Sequence, residues 1–277
     1  MRLIPLISLA TAVEISSSPE YVFSNPPESS LSDHRIPTSY ESAVLGRRIL
    51  ALTPLGTVAT VFPESSGLEG MPHSLMEYVA DCEEEGNPTF LAINIASTFK
   101  NVRAGSNISL AQAWTPPFPP DERIQSSTSS SSFLSRLFSL SPFSSSSSTT
   151  SYSAANLPRF SLLGYIEPIP SSHSSSYSSS SDLAKCFIEK HPDAKYWLPG
   201  NKIHESSFVR LVVQKVYWIG GFGDRAYIGW IPVDEWRNVT REEWEGVELP
   251  GERKGWKEWS YGNGHGLLGQ EQILGDL

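Results

Sequence analysis

The order of apolar and polar positions along the chain predicts one helix followed by a series of strands. Apolar residues recur at helical spacing after Thr38 and Glu41, two residues that fit a capping box. Pro54 interrupts this pattern, because proline cannot donate a backbone hydrogen bond inside a helix. We therefore predict a helix over about residues 39–52.

Shorter segments after this helix have the composition of strands. They are rich in β-branched and aromatic residues and are bounded by Pro, Gly or Asn. The predicted strands are LGTVATVFPE, GMPHSLMEYVAD, PTFLAINI, NISLAQAW, RFSLLGYIEPI and SSFVRLVVQKVYWIGG. The predicted short helices are ASTFKNVRAG and DLAKCFIEKHPDAKYW. Many strands with few helices favour a closed or nearly closed barrel over a doubly wound sheet.

The segment VYWIGGFGDRAYIGWIPVDEW, residues 216–236, contains a possible phosphate-binding loop. Gly221 and Gly223 form a Gly-x-Gly, but the dinucleotide fingerprint also needs a third glycine that opens a helix. Here aromatic and β-branched residues follow, as in a strand. We predict a hairpin that turns at 220–224 and returns at 226–231.

The N-terminal residues have the layout of a secretory signal peptide. Arg2 precedes an apolar run that ends near an A-x-A-like site at Ala10-Thr11-Ala12, so residues 1–13 are predicted to be the leader. The alternative is a first strand or a buried arm. Residues 14–37 are rich in Ser, Pro and Glu and are predicted to be disordered.

Two serine tracts, 126–155 and 171–181, interrupt the strand-rich part of the chain. We interpret them as disordered insertions into a single domain at 38–240. Residues 241–277 form a polar tail rich in Trp and Gly, and we expect some of its tryptophans to pack on the barrel.

Charge and motif content exclude several classes of function. A net charge of −9 and a pI near 5.2 oppose non-specific nucleic-acid binding, which needs a positive field. No apolar run reaches the roughly 18–20 residues that a membrane span requires. The Gly-x-Ser-x-Gly, His-Glu-x-x-His and paired Cys-x-x-Cys motifs of common hydrolases and zinc sites are absent from the sequence.

Three further features bear on the compartment of the protein. Asn107-Ile108-Ser109 and Asn238-Val239-Thr240 are N-glycosylation sequons, which support a secretory route. Cys82 and Cys186 either form one disulfide in an oxidising compartment or remain two buried free thiols.

The segment STFKNVRAG offers a candidate anion site at a strand-to-helix junction. Its hydroxyl groups, together with Lys100 and Arg103, have the chemistry to hold an anion beside helix N–H groups. The alternative is an ordinary N-capped helix whose basic residues are solvated.

In this order, the segments resemble the CREG-type β-barrel, the secreted cellular-repressor glycoprotein family within the FMN-binding split-barrel superfamily. The resemblance covers about residues 40–236, and the expanded YWIGGFGDRAYIGWIP is similar to the fungal branch. A second anchor is GTVATV after an Arg-containing helix. The most specific positions are His191, Pro192, Trp197, His204, Phe208 and the strand end Tyr217–Gly221.

The resemblance implies a split β-barrel that forms a homodimer. In flavin-using relatives such as the pyridoxamine-phosphate oxidases, FMN lies at the dimer interface, and a Ser-Arg-Lys run before a helix helps to hold its phosphate. That run falls here at Ser97-Thr98-Phe99, so serine is retained while Thr and Phe occupy the Arg and Lys positions. By this resemblance, the candidate phosphate ligands are Arg48, Ser97, Thr98 and Lys100.

The resemblance also supplies the expected function. The better-known CREG glycoproteins resemble barrels that have lost flavin and act in the secretory or endolysosomal system. We therefore expect a non-catalytic, glycosylated binding module for an unknown protein or small-molecule ligand, located outside the cell or in the endolysosomal or vacuolar system. The alternative is an FMN-dependent oxidoreductase of the pyridoxamine-phosphate-oxidase-like superfamily.

Overall fold

The computed structural model describes residues 35–121, 152–170, 180–223, 226–256 and 258. The predictions for the signal peptide, for most of 14–37 and for most of each serine tract fall outside these residues. The helices are α1 Ser39–Leu52, α2 Ser97–Arg103, α3 Ser180–Lys190, α4 Val233–Asn238 and α5 Arg241–Gly246. The strands are β1 Leu55–Val61, β2 Pro72–Tyr78, β3 Thr89–Ile93, β4 Ile108–Ala113, β5 Arg159–Pro168, β6 Ser206–Ile219 and β7 Ile228–Ile231.

Helix α1 begins and ends where the sequence pattern predicts. Thr38 Oγ1 accepts a hydrogen bond from Glu41 N at 3.2 Å, and Thr38 N donates to Glu41 Oε2 at 2.7 Å, which completes the capping box. At the other end, Lys190 Nζ donates to Ala51 O at 2.6 Å and to Leu52 O at 2.8 Å. These bonds satisfy carbonyl groups that have no partner within the helix.

The seven strands form one antiparallel sheet with the order β2-β1-β4-β5-β6-β3, and β7 pairs with β6. The sheet curls into a half-barrel, and a single bridge, Ala80 to Thr89, links the β2 side to the β3 side. The predicted split β-barrel is therefore confirmed. The predicted hairpin is also confirmed, because Val216 pairs with Ile231 and Ile219 with Ile228.

The main core lies between the inner face of the sheet and helices α1 and α4. Trp218 and Trp236 are its largest buried side chains, and Phe160 packs edge-on against Trp236 at 5.5 Å between ring centroids. A second, smaller cluster lies on the opposite face of β3 and β6, where α3 contributes Leu183 and Phe187.

Cys82 and Cys186 form a disulfide that joins α3 to the loop after β2, with their Cα atoms 5.9 Å apart. Of the two alternatives that the sequence left open, the structure contains the disulfide. Because α3 covers the second cluster, this bond fixes the outer layer to the sheet.

Part of the C-terminal tail packs on the barrel. Val247 and Leu249 are buried, and Trp114 Nε1 donates to Pro250 O at 2.7 Å. Trp256 Nε1 donates to Phe118 O at 2.8 Å. Trp244 and Trp256 pack against the main core, which confirms the expectation for two tail tryptophans, while residues 259–277 lie outside the described chain.

Within the part of the chain that the structure describes, no helix has the length and apolar character to cross a membrane.

Candidate functional site

Three of the four candidate phosphate ligands lie on α2, which packs against β1 and β2. Ser97 and Lys100 are exposed, whereas Thr98 is only 1% exposed. Phe99 anchors the helix in the core, 6.3 Å from the ring centroid of Phe90. The serine and lysine therefore face solvent, and the threonine faces the protein interior.

Thr98 faces the half-buried carboxyl group of Glu77. Burial raises the pKa of Glu77, and the neighbouring Thr98 hydroxyl partly opposes that rise. A phosphate group brought to Thr98 would meet a second acidic group in a poorly solvated place. Like charges so placed repel each other, so Thr98 is a poor phosphate ligand in this conformation.

Arg48 lies on α1 and binds the C-terminal segment. Its Nε donates to Glu252 Oε1 at 3.1 Å, and its Nη2 donates to Glu252 Oε2 at 2.6 Å. This bidentate pair is largely shielded, with side-chain exposures of 17% for Arg48 and 14% for Glu252. The hydrogen bond to Glu252 raises the pKa of Arg48.

The pair also determines which donors of Arg48 remain available. A guanidinium group binds phosphate through the same fork that binds a carboxylate, so Glu252 occupies the donors that a phosphate would use. Arg48 thus faces Glu252, while Ser97 and Lys100 lie on a different helix. The assignment of Arg48, Ser97, Thr98 and Lys100 to an FMN phosphate stays a prediction.

Arg103, the other basic residue of the predicted anion site, is bound to the end of β3. Its Nη2 donates to Asn94 O at 2.6 Å. Asn94 Nδ2 in turn donates to Glu205 Oε2 at 2.7 Å. These bonds connect α2 with the loop that precedes β6.

The outer face of the sheet carries a shallow groove with a volume of about 290 Å³. Its floor consists of small side chains, because Thr57, Ala111 and Ser161 are directly paired across β1, β4 and β5. Tyr217 continues this row on β6 and packs edge-on against Trp230 of β7 at 5.0 Å. The groove is lined by Thr57, Ala111, Gln112, Ala113, Arg159, Phe160, Ser161, Tyr217 and Ile219.

The residues that line the groove are better suited to binding a partner by surface contact than to acid–base catalysis. Arg159 is the only charged residue among them, and its Nη1 donates to Leu157 O at 3.3 Å. Sequence reasoning did not identify this groove. The sequence signal for the groove was the alternation of small residues in GTVAT and SLAQA, because alternate residues of a strand lie on the same face, here of β1 and β4.

A buried ion pair, also missed from the sequence, joins α1 to the loop after β2. Arg47 Nη2 lies 3.6 Å from Asp81 Oδ2, and the two side chains are 2% and 5% exposed. Arg47 also donates to Glu84 O at 2.8 Å and to Trp236 O at 3.2 Å. Burial raises the pKa of Asp81 to about 6, although the nearby Arg47 opposes the rise.

Gly86 allows this cluster to form. Its φ of 69° lies in the left-handed region, and a Cβ at this position would lie 2.7 Å from Arg47 Cδ and 2.7 Å from Trp236 Nε1. A helical position four residues after Ala43 places Arg47 on the buried face of α1. In the sequence, this spacing of four residues was the signal that could have indicated the burial of Arg47.

Both predicted glycosylation positions, Asn107 and Asn238, are exposed. The Thr240 hydroxyl of the second sequon accepts a hydrogen bond from Glu243 N at 3.3 Å and caps α5. Glycosylation at both positions stays a prediction. Among the described residues, no group of three or more His, Cys, Asp or Glu side chains could hold a metal ion.

A family model described as "CREG, beta-barrel" matches residues 37–238. No curated protein matches the chain. A solved heme binding protein from Mycobacterium smegmatis is 19% identical with a TM-score of 0.45, and the match covers 74% of this chain and 62% of that one. A protein of unknown function from Agrobacterium tumefaciens is 18% identical with a TM-score of 0.43, covering 77% of this chain and 64% of that one. The heme storage protein HutZ from Vibrio cholerae is 13% identical with a TM-score of 0.37, covering 65% of this chain and 94% of that one. The chain thus spans somewhat less than two thirds of the length of the first two proteins.

Proposed function

The chain belongs to the CREG β-barrel family, and on that premise we propose that it is a non-catalytic binding module of the secretory pathway. The observation that carries this proposal is the bidentate pair between Arg48 and Glu252. It leaves the strongest candidate phosphate ligand already bound to a carboxylate of the same chain.

The remaining candidate ligands add to this argument. Thr98 faces Glu77, and Phe99 is buried in the core where flavin-using relatives have a basic residue. A flavin phosphate would then rely on Ser97 and Lys100, which are exposed to water. Exposed charge pairs contribute about 0–1 kcal/mol each, far less than a shielded bidentate contact.

The secretory location is supported by the cysteines and the sequons. Disulfides persist in oxidising compartments, and the two cysteines of the chain are paired with each other. Asn107 and Asn238 are exposed, as glycan acceptors must be. We assign the protein to the extracellular space or to the endolysosomal or vacuolar system, and to the fungal branch of the family.

We further propose that the outer face of the sheet binds a second copy of the chain. Large apolar side chains surround its floor of small residues, and several of them are well exposed: Leu55 at 39%, Met76 at 71%, Leu163 at 36% and Trp230 at 37%. A wide, gently curved face of this kind packs well against another sheet face. The groove on this face is also where a small-molecule ligand would bind.

The second candidate function is an FMN-dependent oxidoreductase. It is favoured by one observation, namely that Ser97 and Lys100 lie three residues apart on the exposed side of α2. In that case Arg48 would have to exchange Glu252 for the phosphate.

A flavin-binding experiment separates the two functions. The full chain is purified from a secreting host, its visible absorbance is recorded, and FMN is titrated while flavin fluorescence is followed. We expect a colourless protein that does not quench FMN. A yellow protein, or quenching at micromolar FMN, would overturn the non-catalytic proposal.

Two variants show whether Glu252 is what excludes the phosphate. Glu252→Gln removes the charge that holds Arg48, while Glu248→Gln is the matched control because Glu248 pairs with the exposed Arg253. If the exclusion is correct, only Glu252→Gln acquires measurable FMN binding. Equal behaviour of the two variants would remove the Glu252 argument.

A further inference from the structure

Two neighbouring loops at one end of the sheet expose large apolar side chains. Ile203 is 73% exposed and Ile95 is 58% exposed. Ile95 follows β3, and Ile203 lies shortly before β6, which is the strand that pairs with β3. Isoleucines this exposed suggest that the surface is covered by something in the protein's working environment.

Hydrogen bonds hold the two loops side by side. Asn94 N donates to Glu205 O at 2.9 Å, which extends the pairing of β3 with β6 beyond Ile93 and Ser206. Asn94 Nδ2 donates to Glu205 Oε2 at 2.7 Å. The isoleucines therefore belong to one surface.

Three exposed basic residues lie on these loops and on the adjoining helix α2. Lys202 precedes Ile203, and Lys100 and Arg103 lie three residues apart on the exposed side of α2. Arg103 Nη2 donates to Asn94 O at 2.6 Å, so α2 is fixed beside the same loops. We call this surface the basic–apolar patch; it consists of Ile95, Lys100, Arg103, Lys202 and Ile203.

The charge of the patch is opposite to that of the whole chain. Residues 94–103 and 202–205 contain three basic residues and one acidic residue, Glu205, whose carboxylate accepts a bond from Asn94. The chain as a whole has a net charge of −9. The positive patch is therefore a local feature, and its complement is a negatively charged surface.

We propose that the basic–apolar patch docks the protein on an anionic lipid surface. Ile95 and Ile203 enter the boundary between headgroups and acyl chains, while Lys100 and Lys202 contact the headgroups through their long flexible side chains. Arg103 positions α2 against the loops and adds its charge. This inference does not rest on the non-catalytic proposal or on the outer face of the sheet, although it shares Lys100 with the alternative flavin-binding function.

Two other anionic partners fit the patch less well. A free phosphate is best bound by a bidentate fork, but both terminal nitrogens of Arg103 are directed at Asn94, at 2.6 Å and 3.4 Å. A protein partner with a fixed shape needs a packed apolar centre that excludes water. Two exposed isoleucines beside exposed lysines instead suit a fluid surface.

Vesicle co-sedimentation of the full chain tests the proposal. One set of vesicles contains phosphatidylcholine alone, and the other contains three parts phosphatidylcholine to one part phosphatidylserine. We expect at least about tenfold tighter binding to the anionic vesicles, lost at about 1 M salt, where charge attraction is screened within about 3 Å. Equal binding to both vesicle types, or binding to neither, would overturn the proposal.

Substitutions connect the binding to the patch. Lys100→Gln with Lys202→Gln should weaken binding to anionic vesicles about 25-fold, since each basic residue near such a surface contributes about fivefold. Ile203→Asn should weaken it as well. The matched control is Lys185→Gln with Arg253→Gln, which removes the same charge from two exposed residues elsewhere and should leave binding unchanged.

Thermal melting of each variant checks that the fold is retained, which is expected because all the changed side chains are exposed. If the patch variant and the control bind alike, the patch is not the docking surface. Inorganic phosphate is titrated in parallel. If millimolar phosphate releases the protein from vesicles at constant ionic strength, the site recognises a free anion and the lipid proposal fails.

Discussion

The disulfide between Cys82 and Cys186 gives the most direct test of how this fold is held together. It closes a loop with a sequence separation of 104 residues, which includes β3, α2, β4, β5 and most of α3. In the chain-entropy account, a loop of this length lowers the entropy of the unfolded chain by about 16 cal/mol/K. At 25 °C this corresponds to about 4.7 kcal/mol of stability.

The measurement is guanidinium unfolding of the oxidised and the reduced protein, followed by the fluorescence of the buried Trp218 and Trp236. Reduction keeps both sulfur atoms in place, so the difference in unfolding free energy reports the cross-link and not a cavity. We expect a loss of about 4–5 kcal/mol. In a thermal melt, the same loss is a fall of about 10–20 °C in Tm.

The control is the double variant Cys82→Ala with Cys186→Ala, whose stability should be insensitive to reductant. A loss below about 1 kcal/mol on reduction of the wild-type protein would refute the reasoning, since the bond would then not restrict the unfolded chain as the loop length requires. Two titratable thiols in the native protein, purified from a secreting host, would refute it earlier, because the bond itself would be absent.

Three further predictions concern the buried pair, its glycine and the outer face. The pKa of Asp81 is about 6 in the folded protein and about 3.9 in the unfolded chain, so the folded state binds more protons between these values. The stability of the protein therefore rises as the pH falls from 7 to 4. In urea unfolding at these two pH values, Asp81→Asn should remove about 2–3 kcal/mol of this rise. Gly86→Ala should lower the free energy of unfolding by at least 1 kcal/mol more than Gly70→Ala, because both glycines have positive φ but only a Cβ at position 86 would meet neighbouring atoms. Equal losses for the two variants in urea unfolding would contradict the packing argument. Ala111→Arg should convert the dimer to monomers, as measured by light scattering, while the control Lys185→Glu should not. A wild-type protein that is monomeric at micromolar concentration would refute the dimer proposal.

Local signals made part of the fold predictable from the sequence. The bounds of α1 followed from Thr38, Glu41 and Pro54, which lie at its ends, and the β6–β7 hairpin followed from glycines between two aromatic strands. In each case the residues that determine the structure are close in sequence. The strand-rich pattern favoured a barrel, and the family resemblance then specified the split β-barrel, which local patterns alone do not.

The contacts that define the candidate site were not predictable in this way. Arg48 and Glu252 are 204 residues apart, and each alone has the pattern of an ordinary solvated charge. Arg47 and Arg48 are adjacent in the sequence, yet one binds a buried aspartate and the other a tail glutamate. Only the packing of α1 against two different segments distinguishes their roles.

The pairing of β3 with β6 has a consequence for the order in which the molecule assembles during synthesis. β3 is made early, but its ladder partner is residues 206–210, which leave the ribosome after α2, β4, β5 and α3. Until then β3 has no ladder partner, and Cys82 has no Cys186 to react with until α3 is made, shortly before β6. Sheet closure and disulfide formation therefore become possible late and almost together, so a nascent chain stopped before β6 cannot form a partial barrel with β3 in the sheet.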